Sequence, residues 1–352
     1  MQEEVMSIKW GVIGCGGIAD RRTIPEGIIP AQNAELVAVM DADEEKAKGI
    51  GRKYKVRSYP KEEELLNDRE VEAVYIATPV YLHSKQAALA ARAGKHVLCE
   101  KSMALTVEEC REMLSVCQEN KVKLGLGFMM RFHAYHKKAR ELVREGSLGK
   151  LVLGRAQLSC WYPDIEGAWR QNPELCGGGS LIDMGSHCID LLEFILGSRV
   201  REVSCFTGTL VHGYPVEDSA TVLLRFANGA QGVVDSCFSI PDVSSKNRLE
   251  LYGTKGSILA EGTVGQGEAG EMTAYLEKGD KGYDARQART SSTAEKLAPA
   301  PVNMYRAEIE HFSRCIQENK EPAISGEDGL WSQKVVLACY QSAREKRVVT
   351  VE

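Results

Sequence analysis

The sequence lacks the features of several protein classes. No stretch of the 352 residues approaches the ~18 uninterrupted apolar residues of a membrane-spanning helix. No C-x-x-C pair occurs, and there is no internal repeat or low-complexity tract. The first residues carry no basic region, so we expect no secretory signal. These absences argue against a membrane protein, a repeat array and a disulfide or zinc framework.

The sequence also has no strong excess of positive or negative charge. Lys plus Arg number 44 and Asp plus Glu 49, which gives a net charge of −5 and no general attraction to nucleic acid or an anionic membrane. Hydrophobic residues make up 43% and charged residues 26%, as in ordinary globular proteins. The length favours two domains. The eleven cysteines are odd in number, and several, such as Cys99, Cys188 and Cys339, lie in apolar runs. We therefore expect reduced thiols in a cytoplasmic protein.

The first ~125 residues alternate between short β-branched runs and helical patterns. We predict strands at 8–13, 35–40, 72–77, 96–99 and 121–126, and helices at 43–54, 61–66, 82–93 and 107–119. Thr106 and Glu109 form a predicted capping box at the start of the last helix. Alternation with nearly all-apolar strands indicates a doubly wound parallel sheet with helices on both faces.

The pattern changes after Gly149. Consecutive strand-like runs separated by turn residues predict a large open, mainly antiparallel sheet, with strands at 151–161, 200–211, 220–226, 229–239, 248–253 and 257–261. We also predict helices at 179–196, 303–319 and 328–344 and a closing strand at 347–351. The Gly-rich segment 262–299 is expected to be a loop or lid with one edge strand.

A G-x-G-x-x-A motif, formed by Gly14, Gly16 and Ala19, follows the first predicted strand and opens a helix. Such a turn suits a dinucleotide, since Gly14 permits the tight bend, Gly16 lets the pyrophosphate approach and the helix N-terminus attracts it. Strand two ends in Asp41, the position of an acid that binds the ribose hydroxyls. Ala42 and the acidic Asp43 follow it, which favours NAD over NADP. The alternatives are an ordinary βα turn for the glycines and a helix cap for Asp41.

Polar residues also follow later strands of the predicted parallel sheet. Thr78 and Pro79 follow the predicted strand at 72–77, and Glu100 and Lys101 follow the predicted strand at 96–99. Because ligands bind beyond the carboxyl ends of such strands, we expect these residues to line the nicotinamide side of the site. Lys101 is alternatively a solvated lysine at a helix start, and His83 is alternatively a capping or packing residue.

A glycine run, Gly177 to Gly179, precedes the predicted helix that carries Asp183 and His187 at positions i and i+4. The glycines suggest that a group comes close to the backbone. The acid and imidazole are alternatively a core histidine held by a carboxylate, or half of a metal site. No matching set of ligands appears elsewhere, so we expect no metal.

Other residues are candidates for a cleft that binds a polyhydroxylated ring, and core packing is the alternative for them. They are Arg131, Trp161, Tyr162, Trp169, Arg170 and, in the Gly-rich segment, Tyr283. His133 and His136 lie on a basic helical stretch with no acidic cluster nearby, and we expect both to be solvated.

Taken in order, the motifs G-C-G-G-I-A, A-T-P, E-K and G-G-G-x-x-x-D-x-G-x-H resemble the glucose–fructose oxidoreductase, inositol dehydrogenase and MocA (Gfo/Idh/MocA) family over essentially the whole chain. The resemblance implies a Rossmann domain, expected at 1–127, followed by a substrate-binding and oligomerisation α+β domain at 128–352. It also implies NAD(P)-dependent oxidation of a sugar-type alcohol and homodimers or homotetramers formed through the C-terminal sheet.

The catalytic group implied by the resemblance maps onto Lys101, Asp183 and His187. The family usually has proline after the lysine, whereas this chain has Ser102. We therefore expect that segment to be re-aimed and the lysine to keep its role. The predicted cofactor-binding residues are Gly14, Gly16, Gly17, Ile18, Asp41, Thr78, Pro79, His83, Glu100 and Lys101. The predicted substrate-binding residues are Arg131, Tyr162, Trp169, Arg170, Asp183 and His187.

Two other functions are compatible with the same residues. One is a glycoside-processing enzyme that oxidises a ring hydroxyl transiently with bound NAD, so that the resulting ketone acidifies a neighbouring C–H. The other is a non-catalytic sugar or nucleotide sensor on the same fold. Retention of the lysine, the acid and the imidazole favours an enzyme over a sensor.

Overall fold

The computed structural model describes residues 7–277, 285 and 293–352, and the chain divides into two compact units. The first consists of Met1–Met129, Ala168–Gly177 and Asn303–Lys334. The second consists of Met130–Gly167, Gly178–Val302 and Val335–Glu352. Both units are therefore discontinuous along the chain. Tyr283 lies outside the described residues.

Six parallel strands form the sheet of the first unit, in the order β3–β2–β1–β4–β5–β6. They are β1 (Ile8–Ile13), β2 (Ala34–Met40), β3 (Arg57–Tyr59), β4 (Ala73–Ile76), β5 (His96–Glu100) and β6 (Leu124–Gly127). The strand order reverses between β1 and β4. In doubly wound sheets the ligand binds at this switch point, beyond the carboxyl ends of the strands. The predicted parallel sheet is confirmed.

Helices cover this sheet. A π-helical segment, Ala19–Ile28, follows β1, and the α-helices are α1 (Glu44–Tyr54), α2 (Glu62–Leu66), α3 (Val80–Arg92) and α4 (Val107–Glu119). The predicted capping box of α4 is present. The strand β1 is buried around Trp10, whose indole N–H donates to the Ser313 hydroxyl at 3.1 Å. Ser313 lies on α8 (Met304–Gln317), so this late helix contributes to the core of the first unit.

Nine strands form a mixed sheet in the second unit, in the order β14–β13–β12–β11–β7–β10–β9–β8–β15. They are β7 (Leu151–Ser159), β8 (Val200–Gly208), β9 (Ser219–Phe226), β10 (Gln231–Cys237), β11 (Arg248–Gly253), β12 (Gly256–Glu261), β13 (Glu271–Leu276), β14 (Thr293–Leu297) and β15 (Val349–Thr350). Only the β7–β10 pair is parallel among these described strands. The prediction of a mainly antiparallel sheet is confirmed.

One face of this sheet is covered by helix and the other is exposed. The remaining α-helices of the described residues are α5 (Ala134–Arg144), α6 (Pro173–Cys176), α7 (Ser186–Leu196) and α9 (Gly326–Glu345). Leu192 of α7 packs directly on Gly154 of β7. Along β9, buried residues such as Val222 alternate with exposed ones such as Leu223. Such alternation is expected of a sheet with one core face.

One local prediction was wrong. In its described part, the segment 262–299 contains two strands, β13 and β14, which pair with each other at the sheet edge, instead of one strand. The helix predicted at 179–196 is present, and its first turn, Leu181–Gly185, is a π-helix that continues into α7. Within the described chain, no helix has the length and apolarity required to cross a membrane.

Candidate active site

The turn after β1 has the geometry of a dinucleotide-binding loop. Gly14 has φ of 94°, and a Cβ there would lie 2.9 Å from Thr78 Cγ2 and 3.0 Å from the Ala77 main chain. Both the conformation and the lack of space therefore require glycine. A Cβ at Gly17 would meet nothing within 4 Å, so the loop is open on that side. Ile18, at the start of the helical segment, adds no side-chain cap. The loop fits an approaching pyrophosphate.

Asp41, directly after β2, lies against this turn. Its Oδ2 accepts the Cys15 N–H at 2.9 Å, and its Oδ1 accepts the Asp43 N–H at 3.0 Å. The Lys46 ammonium is 3.1 Å from Asp41 Oδ2, and a Cβ at Gly16 would lie 2.9 Å from the same ammonium. Asp43 is the residue that caps α1. Lys46 was not among the residues that the sequence predicted for this site.

Glu100, the last residue of β5, accepts hydrogen bonds from two sides. The Tyr75 hydroxyl donates to its Oε1, and the Lys101 N–H donates to its Oε2 at 3.2 Å. The Thr23 hydroxyl in turn donates to the Tyr75 oxygen at 2.9 Å. Burial raises the pKa of the Glu100 carboxyl, and the hydrogen bond from Tyr75 and the charge of Lys101 oppose this rise. This series of hydrogen bonds fixes the backbone from which the Lys101 side chain projects.

His83 joins the segments that follow β4 and β5. Its ring is buried, with Nδ1 2.8 Å from the Ser102 carbonyl oxygen and Nε2 2.9 Å from the Thr78 carbonyl oxygen. Burial lowers the pKa of His83. The Lys101–Ser102 peptide bond is cis, and Pro79 occupies the N-cap position of α3. Both ring nitrogens of His83 thus face main-chain carbonyls that flank the predicted nicotinamide side.

Trp169 and Arg170 belong to the first unit, on a short 3₁₀ turn, Trp169–Gln171. The Arg170 guanidinium carbon lies 4.3 Å from the centroid of the Trp169 ring. The positive charge of Arg170 also contributes to lowering the pKa of Glu100 against the effect of burial. The structure therefore places Arg170 in the electrostatic environment of the Glu100–Lys101 segment.

Asp183 and His187 belong to the second unit. Asp183 lies in the π-helical turn Leu181–Gly185, and His187 lies in the first turn of α7 with its side chain buried. The Asp183 N–H donates to the Gly179 carbonyl at 3.1 Å. Burial raises the pKa of Cys160 to about 12, and the charge of Asp183 adds to the rise, so the carboxylate lies near the end of β7. Single-turn π-helices are frequent at functional sites.

Arg131 is held by a carboxylate of α7. Its Nε is 2.9 Å from Asp190 Oδ2 and its Nη2 is 2.6 Å from Asp190 Oδ1, with both side chains buried. A bidentate buried ion pair of this kind explains the position of the Arg131 side chain without a bound ligand.

Tyr162 packs on Phe238 with ring centroids 5.0 Å apart. Its main-chain carbonyl accepts the Tyr214 hydroxyl at 3.0 Å.

The expectation that His133 and His136 are solvated was wrong. Both are fully buried, with ring centroids 4.6 Å apart. His136 shares the buried face of α5 with Ala139 and Leu142, and burial lowers the pKa of His136 to about 3. The basic residues that suggested exposure lie on the other positions of the helix.

Among the described residues, no cluster of three or more His, Cys, Asp or Glu side chains is arranged for a metal ion.

Sequence reasoning missed two residues at the glycine run. The Glu217 carboxylate accepts the N–H groups of Gly179 and Leu181, each at 2.9 Å, and the Tyr340 hydroxyl at 2.8 Å. Glu217 lies just before β9 and Tyr340 lies in α9. They are far from the run in sequence, so no local pattern could have indicated either contact.

Comparison with known proteins agrees with this architecture. Residues 8–128 match the model of an oxidoreductase family with an NAD-binding Rossmann fold, and residues 136–259 match that of the GFO/IDH/MocA C-terminal domain. The chain is 30% identical over 351 residues to 1,5-anhydro-D-fructose reductase of Ensifer adhaerens, covering 98% of each protein. It is 30% identical over 349 residues to myo-inositol 2-dehydrogenase of Thermotoga maritima, covering 97% of this chain and 98% of that one.

The same fold occurs in solved structures. The crystal structure of aldose-aldose oxidoreductase from Caulobacter crescentus, complexed with glycerol, superposes with a TM-score of 0.87. Its sequence is 30% identical, and the match covers 98% of this chain and 99% of that chain. With the dinucleotide loop, both domains and full-length relatives in agreement, the chain belongs to the Gfo/Idh/MocA family of NAD(P)-binding oxidoreductases.

Proposed function

We propose that this protein is a dehydrogenase that uses NAD to oxidise a secondary hydroxyl of a sugar, an inositol or a glycoside. One observation carries the proposal. Lys101 follows β5 at the ligand-binding edge of a dinucleotide-type sheet, on a backbone fixed by Glu100 and His83. The relatives that act on an anhydro-sugar and on an inositol support the substrate class.

The residues present fit NAD. Gly14, Gly16, Gly17 and Ile18 would hold the pyrophosphate, since the turn is open at Gly17 and carries no side-chain cap. Asp41 would accept the ribose hydroxyls, being already fixed to the Cys15 N–H. On the nicotinamide side the proposed residues are Thr78, Pro79, His83, Glu100 and Lys101. NAD bound there would take up a hydride from the substrate carbon.

The preference for NAD over NADP follows from charge. Asp41 and Asp43 would bring two carboxylates close to the 2′-phosphate of NADP, and like charges would repel it. Lys46 adds a positive charge 3.1 Å from Asp41. We therefore expect a preference for NAD rather than complete exclusion of NADP.

His187 is the proposed general base, which removes the hydroxyl proton as the carbon loses its hydride. An imidazole suits this role because its usual pKa lies near the working pH. Lys101 would donate a hydrogen bond to the same oxygen and stabilise its developing negative charge. Asp183 would orient the substrate or the base. The proposal requires these three side chains to act on one hydroxyl.

The proposed substrate contacts come from aromatic and cationic side chains. Trp169 and Tyr162 offer apolar ring faces to the C–H groups of a sugar, and the Arg170 guanidinium offers donors to its hydroxyls. Arg131, which lies just before α5, is also one of the proposed substrate contacts. Its ion pair with Asp190 gives it a structural role as well.

We further propose that the cofactor is bound by residues 1–127 and the substrate by residues 128–352, as the motifs indicate.

The exposed sheet face supports assembly into homodimers or homotetramers, since the strand register places Phe206, Leu223 and Leu259 on that face. The eleven cysteines all lie in the described part of the chain and all are free, which favours the reducing cytoplasm.

The test is reduced-cofactor formation, followed by absorbance, with polyols, aldoses, inositols and glycosides, using NAD and NADP in parallel. We expect turnover with NAD on at least one class. His187→Ala should lower kcat by about 10²-fold or more while NADH affinity is kept. Unchanged turnover would remove His187 as the base. No turnover on any class, with either cofactor, would reject the dehydrogenase. Tightly held NAD that recycles without net reduction would instead identify the transient-oxidation enzyme.

A further inference from the structure

Glu217 binds the start of the π-helical turn Leu181–Gly185. Its Oε2 accepts the Gly179 N–H at 2.9 Å, and its Oε1 accepts the Leu181 N–H at 2.9 Å and the Tyr340 hydroxyl at 2.8 Å. These three groups donate to the carboxylate, which is the pattern that its ionised form satisfies. Burial raises the pKa of Glu217 and these hydrogen bonds oppose the rise.

The glycine run is explained by the same two residues, through the main chain of Glu217 and the side chain of Tyr340. A Cβ at Gly179 would lie 1.9 Å from the Glu217 carbonyl oxygen, and one at Gly178 would lie 1.9 Å from the Tyr340 hydroxyl oxygen. The Ser180 N–H donates to that Glu217 carbonyl at 3.0 Å. The group that approaches this backbone closely is therefore the chain itself, and no side chain larger than hydrogen fits at either glycine.

We propose that Glu217 and Tyr340 are positioning residues for the reaction, because they hold the turn that carries Asp183 and leads into His187. This inference rests on the proposed function. The Asp183 N–H donates a hydrogen bond to the Gly179 carbonyl, and the Gly179 N–H donates one to the Glu217 carboxylate. A shift of the Glu217 side chain therefore moves Gly179 and, through it, Asp183. The turn continues into α7 without a break, so the displacement reaches His187 as well.

The size of the effect follows from geometry. Misplacing a catalytic group by about 1 Å costs up to ~10²-fold in rate. Tyr340→Phe removes one donor and leaves the ring, and we expect kcat to fall about tenfold. Glu217→Gln replaces one acceptor oxygen by an NH₂ that faces an N–H donor, and we expect a fall of about 10²-fold. NADH affinity, measured by fluorescence titration, should stay within about twofold for both.

Glu193→Gln is the matched control. Glu193 is a buried carboxylate near the other end of α7, and its Oε1 accepts the Val200 N–H at 2.6 Å. The change leaves one acceptor oxygen for the Val200 N–H and removes the charge that pairs with Arg199 at 3.4 Å, without touching the π-helical turn. We expect a lower melting temperature in this variant and a kcat within about threefold of the wild type.

Kinetics and thermal melts of the full chain decide between positioning and a purely structural role. The positioning role predicts large kcat losses in Glu217→Gln and Tyr340→Phe at temperatures where all variants are folded. The kcat of the control, Glu193→Gln, should change little. If both variants lose stability and yet match the control in kcat, the inference is overturned.

A second readout separates this inference from the proposed function. The ring resonance of His187, assigned by its absence in His187→Asn, reports the position of the imidazole without turnover. We expect it to shift in Tyr340→Phe and Glu217→Gln and to stay in place in Glu193→Gln. An unshifted resonance in the first two overturns the inference even when no substrate is turned over, whereas inactivity of the wild type alone overturns only the proposed function.

Discussion

Tyr75→Phe is the change that most clearly links the core of the first unit to its site. The Tyr75 side chain is fully buried between Thr23 and Glu100, donating to the carboxylate and accepting from the threonine hydroxyl. Phenylalanine keeps the ring and removes both hydrogen bonds. The variant therefore leaves the Glu100 carboxylate short of a donor without opening a cavity.

The cost of this change depends on pH. Burial raises the pKa of Glu100 above its usual value, so its ionised form is disfavoured in the folded state. This cost is present at neutral pH and is relieved as the pH falls through the folded-state pKa. The Tyr75 hydrogen bond lowers the pKa, so removing it enlarges the cost at neutral pH. A hydrogen bond to a charged group contributes about 2 kcal/mol, and one to a neutral group about 1 kcal/mol.

We therefore expect Tyr75→Phe to lower the melting temperature by about 4–8 °C near pH 7.5, for a unit of roughly this size. Near pH 5 the difference from the wild type should shrink by about half. Tyr59→Phe is the control, because its hydroxyl donates to Asp68 at 3.0 Å and Arg57 also pairs with that carboxylate. A loss in Tyr75→Phe that is equal at both pH values, or no larger than that in Tyr59→Phe, contradicts the reasoning.

Three further changes test other parts of the structure. Lys46→Met removes the charge beside Asp41, so NADPH should bind about tenfold more weakly relative to NADH in fluorescence titrations; Lys48→Met, on the same helix, should leave the ratio unchanged. Gly179→Ala should abolish soluble folded protein, because its Cβ has no space, whereas Gly49→Ala, with nothing within 4 Å, should raise the melting temperature slightly. Asp190→Asn strands a buried guanidinium and should cost about 3–5 kcal/mol in denaturant unfolding, and a cost under ~1 kcal/mol would show that the pair is dispensable.

Local patterns were sufficient for the regular elements. The helix predicted at 107–119 has the observed bounds of α4, because a capping box marks its start and an amphipathic repeat runs to its end. The glycine turn and the position of Asp41 beside it could also be predicted, since their spacing reflects a single βαβ unit. Parallel and antiparallel sheets could be distinguished because strands buried on both faces are apolar throughout.

Contacts between distant segments were not readable. Glu217 lies 38 residues from Gly179, and Tyr340 lies 123 residues from Glu217, so neither leaves a periodic signal near the glycine run. The burial of His133 and His136 depends on which face of α5 meets the core, and the neighbouring basic residues concealed that face. The π-helical segments also escaped prediction, because a one-residue widening of a helix does not alter its hydrophobic pattern enough to be recognised.

The most direct test of the account is the transfer of deuterium. Substrates from the active class, deuterated at the carbinol carbon, are incubated with the protein and NAD, and the recovered reduced cofactor is analysed by mass spectrometry. The account predicts one deuterium per cofactor reduced, with the rate lost in Lys101→Ala and His187→Ala. Unlabelled reduced cofactor, or labelling that persists at the wild-type rate in both variants, would contradict it.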